Sequence, residues 1–170
     1  MTWRGSTTMG ERLLSCLPYT LPLINVLGFS AYLLTTFPIF SVILIPFSPL
    51  IFLYVMTVGR IPYGELIVFF LLLFLVVRNQ KIKHFIRYNT MQSILLLIFV
   101  RLCYWILELL GFPMRMIPGN FVTNNLFVEV ISTTIFLGVF AAIIYSVVET
   151  IRGKYAEIPV ISEAVYMQVR

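Results

Sequence analysis

Leu13-Leu14-Ser15-Cys16-Leu17-Pro18-Tyr19-Thr20-Leu21-Pro22-Leu23 opens a stretch, residues 13–59, in which forty-seven consecutive positions carry no formal charge. A water-soluble chain of 170 residues is mostly surface, and a surface of that size needs more charge than this. Apolar residues make up 60% of the chain and charged residues 11%, against roughly 45–50% and about 25% in ordinary domains. Mean hydropathy is +0.98, and aspartate is absent. The reading is an all-α integral membrane protein, a single membrane domain over residues 1–170.

Other classes fall with that reading. A secretory signal has one short apolar region, whereas apolar runs recur here to residue 150. Disorder is excluded by fifteen Phe and nine Tyr. The net charge of +5 does not point to nucleic acid. Its densest part, Arg78-Asn79-Gln80-Lys81-Ile82-Lys83-His84 with Arg87, lies between two apolar segments and reads as a topology determinant. Cys16 and Cys103 both sit in apolar stretches and suggest no disulfide or metal framework.

Working outward, residues 84–110 form one long helix of about 40 Å, stopped by Gly111 and Pro113. Residues 112–125 are a connecting loop, and 126–150 the last span, ended by Gly153. A seventeen-residue helix covers 61–77, with Pro62 in its first turn. The charge-free block divides less cleanly. Pro18 and Pro22, four residues apart, remove donors that lipid would demand be bonded, so 11–26 reads as an interfacial amphipathic segment. The first span is then about 36–58, made irregular by Pro38, Pro46 and Pro49, and a polar tail follows at 151–170. Four transmembrane helices keep Arg4 and Arg12 on the side of the basic cluster, with Arg60 and Arg115 opposite; five would move the N-terminus across.

Within this frame a few residues stand out. Phe85, Asn89 and Gln92 share one helix face just inside the membrane, so the two carboxamides point at other helices or at a polar vestibule floored by basic residues. His84 is alone at the interface, with no second His or Cys beside it. Arg101 lies about 25 Å along the helix from the basic end and needs a counter-charge, for which Glu108 and Glu129 are available, with Glu65 at the same membrane level. Gly138, Ala142 and Ser146 repeat at the four-residue spacing of close helix contacts. There is no HExxH, no glycine-rich phosphate loop and no aspartate for a Ser/His/Asp set, so no enzyme, cofactor or metal site is expected.

Three ordered pieces carry a resemblance: Leu13-Leu14-Ser15-Cys16-Leu17-Pro18-Tyr19 with Leu21-Pro22-Leu23, Phe74-Leu75-Val76-Val77-Arg78-Asn79, and His84-Phe85-Ile86-Arg87-Tyr88-Asn89-Thr90-Met91-Gln92. Together they resemble the twenty-kilodalton membrane component of the chloroplast inner-envelope protein-import translocon, which has cyanobacterial and algal plastid relatives. The resemblance covers about residues 11–110. It implies four transmembrane helices, a multi-pass place in the plastid inner envelope (or a cyanobacterial membrane), and a basic side facing the stroma. It also implies a role in moving preproteins inward, with other translocon subunits, unfolded preproteins and membrane lipid as partners. Arg78, Asn79, His84, Arg87, Asn89 and Gln92 are the positions carried over, as pathway or helix-contact residues and not catalytic ones. Two departures accompany it: Asn25 stands where relatives often have an acid, and Leu97 in a region where an aspartate often follows Met-Gln. Fewer than a dozen residues precede Glu11-Arg12, with no transit peptide recognised there, as expected of a processed, organelle-encoded or bacterial protein. The functional alternatives are a purely structural or assembly subunit and a small ion or metabolite channel.

Overall fold

The computed structural model describes residues 7–112, 126–159 and 161–169. Arg4, Pro113 and Arg115, and all of the expected loop beyond Phe112, lie outside the described residues. Every regular element among the described residues is helical. Among the described residues three runs are long and apolar enough to cross a membrane: α1 (Met9–Phe29), α6 (His84–Leu109) and α7 (Leu126–Ile151). Between α1 and α6 come α2 (Ala31–Thr36), α3 (Ile39–Leu44), α4 (Ile45–Arg60) and α5 (Gly64–Val77); α8 (Ile161–Gln168) closes the chain. The α4–α5 pair is bent by 103° and supplies up to a fourth candidate span.

The first difference from expectation is α1. Residues 11–26 belong to a helical run at the centre of the bundle, with Tyr19, Leu23, Val26, Leu27 and Phe29 in the main core beside Leu96 and Val100 of α6 and Phe136, Val139 and Ile143 of α7. A Thr8–Glu11 capping box starts the run. Its prolines are absorbed without a change of course, because the chain tightens to a 3-10 turn at Leu17–Tyr19 with Pro18 in the first positions, where a missing N–H costs least.

The second difference is that residues 36–58 are not one helix. Phe37, just before Pro38, leaves the helical region at φ −128° and ψ 80°, consistent with the disfavouring of α conformation before a proline, and it separates α2 from α3. Pro46 and Pro49 each start a new helical piece. Prolines in the block therefore act differently according to context: Pro18 and Pro22 are carried through a packed helix, Pro38 and Pro46 mark breaks in an exposed stretch, and Pro49 lies inside α4.

Two sets of contacts fix the levels of the bundle. At one end, Lys83 pairs with Glu11 at 2.5 Å, and Arg12 Nη1 donates to the Ile151 carbonyl at 3.1 Å. The start of α1, the approach to α6 and the end of α7 therefore meet at the basic end. At the other, Asn25 Nδ2 donates to Glu65 Oε1 at 2.6 Å, and Glu65 pairs with Arg101. The chain from α2 to α4 thus departs from the far level after α1 and returns to it at α5. The end of α5 is then at the basic end, where Arg87 Nε donates to the Val77 carbonyl.

The turn into α5 depends on Gly64, where an added Cβ would collide with the Val58 carbonyl oxygen; Tyr63 before it takes a left-handed φ of 58°. The helix starts at Gly64, so Pro62 lies in this turn and not in the first helical turn. Its last six residues, Leu72–Val77, are π-helical, with Arg78 N–H donating to Leu73 O. Gly111 and Gly153, both at positive φ, follow the ends of α6 and α7 as expected. The segment after Gly153 is more than a polar tail. Ala156, Val165 and Val169 are buried, and α8 packs against Tyr88, Met91 and Ile94 of α6.

Candidate functional site

The polar residues singled out on α6 converge with partners from three other segments. Asn89 and Gln92 are fully buried. The Tyr19 hydroxyl of α1 lies between their carboxamide oxygens, 3.1 Å from Asn89 Oδ1 and 3.2 Å from Gln92 Oε1. Thr150 Oγ1 of α7 lies 2.7 Å from Asn89 Oδ1 and 2.7 Å from the Ser146 carbonyl one turn back. The amide groups are held as well: Asn89 Nδ2 donates to Phe85 O at 2.8 Å, and Gln92 Nε2 to Ala156 O at 3.1 Å. Tyr88 OH donates to the same Ala156 carbonyl at 3.1 Å. Ser93 Oγ, next along α6, donates to Pro18 O at 2.7 Å.

Both carboxamides are turned toward partners within the protein. In a low-dielectric interior an unpaired amide costs several kcal/mol, roughly 2–7 depending on the reference state. Here the amide oxygens and nitrogens of Asn89 and Gln92 are bonded to protein. The cluster is a knot that ties α1, α6, α7 and the start of the C-terminal segment, not an open vestibule. Sequence reasoning found Asn89 and Gln92 but missed Tyr19, Ser93 and Thr150. Single hydroxyls in apolar helices give no pattern until the helices are placed against one another.

The remaining carried-over residues form the rim below the knot. Arg87 is buried and its Nε donates to the Val77 carbonyl at 2.8 Å, joining the end of α5 to the start of α6. Asn79 caps the connecting turn by accepting from Lys81 N–H at 3.0 Å, and Arg78 lies over the Phe74 ring at 5.8 Å. His84 bridges Tyr155 OH at 3.1 Å and Val169 O at 3.0 Å, so its role here is to hold the C-terminal segment.

Among the charge-pair candidates Arg101, Glu108, Glu129 and Glu65, the structure brings Arg101 and Glu65 together. Arg101 meets Glu65, whose other partner is Asn25, so three helices share one ionic contact at the far level. Glu108 is exposed and Glu129 half-buried. The small-residue stripe on α7 is split. Ser146 is buried at the knot, Ala142 is half-buried, and Gly138 faces open space. The face of α7 that enters the bundle is instead Val128, Ser132, Phe136, Val139, Ile143, Ser146 and Thr150.

Residues 8–165, from the capping box of α1 into α8, match the family described as chloroplast import apparatus Tic20-like. The chain belongs to the Tic20 family. It is 37% identical to a Tic20 family protein of Synechocystis over 98% of both chains. It is 39% identical to the Tic20 family protein Ycf60 of Gracilaria tenuistipitata, covering 95% of this chain and 76% of that one. Protein TIC 20, chloroplastic, of Pisum sativum is 31% identical over 93% of this chain and 58% of its own length. Relatives thus come from a cyanobacterium as well as from plastid-bearing organisms. The Tic20-family match runs through the knot and through the far ionic contact alike.

Proposed function

We propose that this Tic20-family chain is a membrane subunit of a preprotein-import translocon, contributing to or surrounding the protein-conducting route across the plastid inner envelope, or acting in the corresponding cyanobacterial membrane. The observation that carries the reading is the match of residues 8–165, nearly the whole bundle, to the family described as chloroplast import apparatus Tic20-like. The reading carries no enzymatic step. Other translocon subunits, unfolded preproteins and lipid are its partners.

The topology that fits has four crossings, α1, α5, α6 and α7, with the N- and C-terminal ends on the basic, stromal side. This reading keeps four crossings, as in the sequence expectation, but with a different membership, α1 taking the place of 36–58. The positive-inside tendency supports the orientation, because Arg12, Arg78, Lys81, Lys83, Arg87, Arg152 and Lys154 then lie on one side. Single cysteines at Lys81 and Tyr63, in a chain with Cys16 and Cys103 replaced, test it with an impermeant maleimide. Labelling of both from the same side removes the topology.

A second reading, a structural subunit that organises the complex, is favoured by the hydrogen-bonded state of Asn89 and Gln92. Site-specific photocrosslinking of a stalled preprotein separates the two. Probes belong on exposed positions, such as Leu75 on α5 and Phe52 on α4, not on the buried carboxamides. Preprotein adducts support a lining role. Adducts with partner subunits alone, while import proceeds, leave the structural reading.

A further inference from the structure

Between α5 and the far half of α6 runs an open groove of about 670 Å³. Its rim is polar and aromatic, with Tyr63, Glu65, Arg101 and Trp105, and its wall is apolar, with Phe69, Leu97 and Ile98. We propose that this groove is a lipid site. It takes one lipid of the far leaflet, with acyl chain against the wall and headgroup at the Arg101–Glu65 pair, and it prefers a headgroup without net charge. The inference rests on the chain's membrane character and is independent of any role in import.

The polarity gradient has the direction a lipid requires. Arg101 lies about 25 Å along α6 from His84, and a hydrocarbon core is about 30 Å thick, so the rim falls near the far boundary. Tyr63 and Trp105 are well exposed there, the depth at which aromatic rings of this kind anchor at headgroups. From that level the groove leads inward past Ile98, which is open to the side.

Its length discriminates between occupants. Toward the basic end the α5–α6 seam is closed, because Leu72 and Leu73 pack onto the cluster of Val77, Met91 and Ile94. From Trp105 to Leu97 is about 12 Å along α6, close to the roughly 15 Å depth of a single leaflet. A partner transmembrane helix needs a seam through the whole core, about 30 Å long. The groove is leaflet-deep and therefore suits an acyl chain.

Charge then narrows the headgroup. Arg101 attracts phosphate, but Glu65 pairs with it and cancels the charge of the rim. An anionic headgroup meets attraction and repulsion together. A zwitterionic one can set its phosphate toward Arg101 and its ammonium toward Glu65.

Native mass spectrometry of the purified full chain, titrated with phosphatidylcholine and phosphatidylglycerol of identical acyl chains, reads both parts of the proposal. The wild type is expected to retain one phosphatidylcholine, several-fold in preference to phosphatidylglycerol. Ile98→Trp, which fills the groove from its exposed side, is expected to lose it, while Leu137→Trp on the exposed surface of α7 keeps it. Glu65→Gln leaves the rim positive and is expected to shift the preference toward phosphatidylglycerol. Equal retention by the Ile98→Trp and Leu137→Trp proteins overturns the site, as does the absence of a saturable single lipid on the wild type. A photoreactive residue at position 98 that captures a polypeptide instead of lipid in native membranes overturns it too. Preference of the wild type for phosphatidylglycerol overturns the headgroup assignment.

Discussion

Ser93 Oγ donates to the carbonyl oxygen of Pro18 at 2.7 Å. Pro22 has no N–H, so in the ordinary i→i−4 pattern Pro18 is the carbonyl it leaves without its helical donor. A hydroxyl from a neighbouring helix meets that carbonyl, which is how α1 keeps a proline pair at the centre of the bundle. Ser93→Ala is expected to destabilise the fold by about 0.5–1.5 kcal/mol, the usual net contribution of one hydrogen bond, because the Thr20 N–H also reaches the Pro18 carbonyl. Unfolding in mixed micelles measures it, and a loss near zero removes this account of α1.

Asn89 and Thr150 couple the first turns of α6 to the end of α7. A double-mutant cycle of Asn89→Ala with Thr150→Val is expected to give a favourable coupling of about 0.6 kcal/mol and below roughly 1.7 kcal/mol, the span found for hydrogen bonds between membrane helices. Strict additivity in the cycle would show that the contact is dispensable.

Arg101 and Glu65 are both partly buried and face one another across α5 and α6. Glu65→Gln or Arg101→Gln alone is expected to lower the thermal midpoint in detergent, because each leaves one charge without its partner. The exchange Glu65→Arg with Arg101→Glu restores the pair and should recover much of that loss, apart from what Asn25, placed to donate to a carboxylate, no longer contributes. If the double variant is no better than the single ones, pairing is not what holds this level.

The Ala156 carbonyl accepts from Tyr88 OH and Gln92 Nε2. Truncation after Lys154 removes that acceptor and α8 together, whereas truncation after Glu157 keeps the acceptor in the chain. Hydrogen exchange at the start of α6 is expected to accelerate more in the shorter protein. Equal exchange in the two would assign the stabilisation to the packing of α8 instead.

Much of the helical plan was legible in the sequence. The stops of α6 and α7 followed from Gly111 and Gly153, and the basic run at 78–87 marked one end of the bundle, because glycine conformation and local charge act over a few residues. The face bearing Asn89 and Gln92 was legible for the same reason, since 3.6-residue periodicity is a local property. Prolines misled, however. A rule based on missing donors placed 11–26 at the interface and made 36–58 a span, and the structure reverses their standing in the core.

Composition and local pattern alone determined that the chain is helical, rich in apolar surface and polarised in charge, since these depend on residue types and near neighbours. Whether a proline breaks a helix is decided by what lies beside the freed carbonyl, and only the tertiary structure could bring Ser93 to Pro18. The same is true of Glu65 as the partner of Arg101, and of Tyr19 and Thr150 as the partners of the carboxamides. Each pairing joins residues 36 or more positions apart, and no local spacing encodes them.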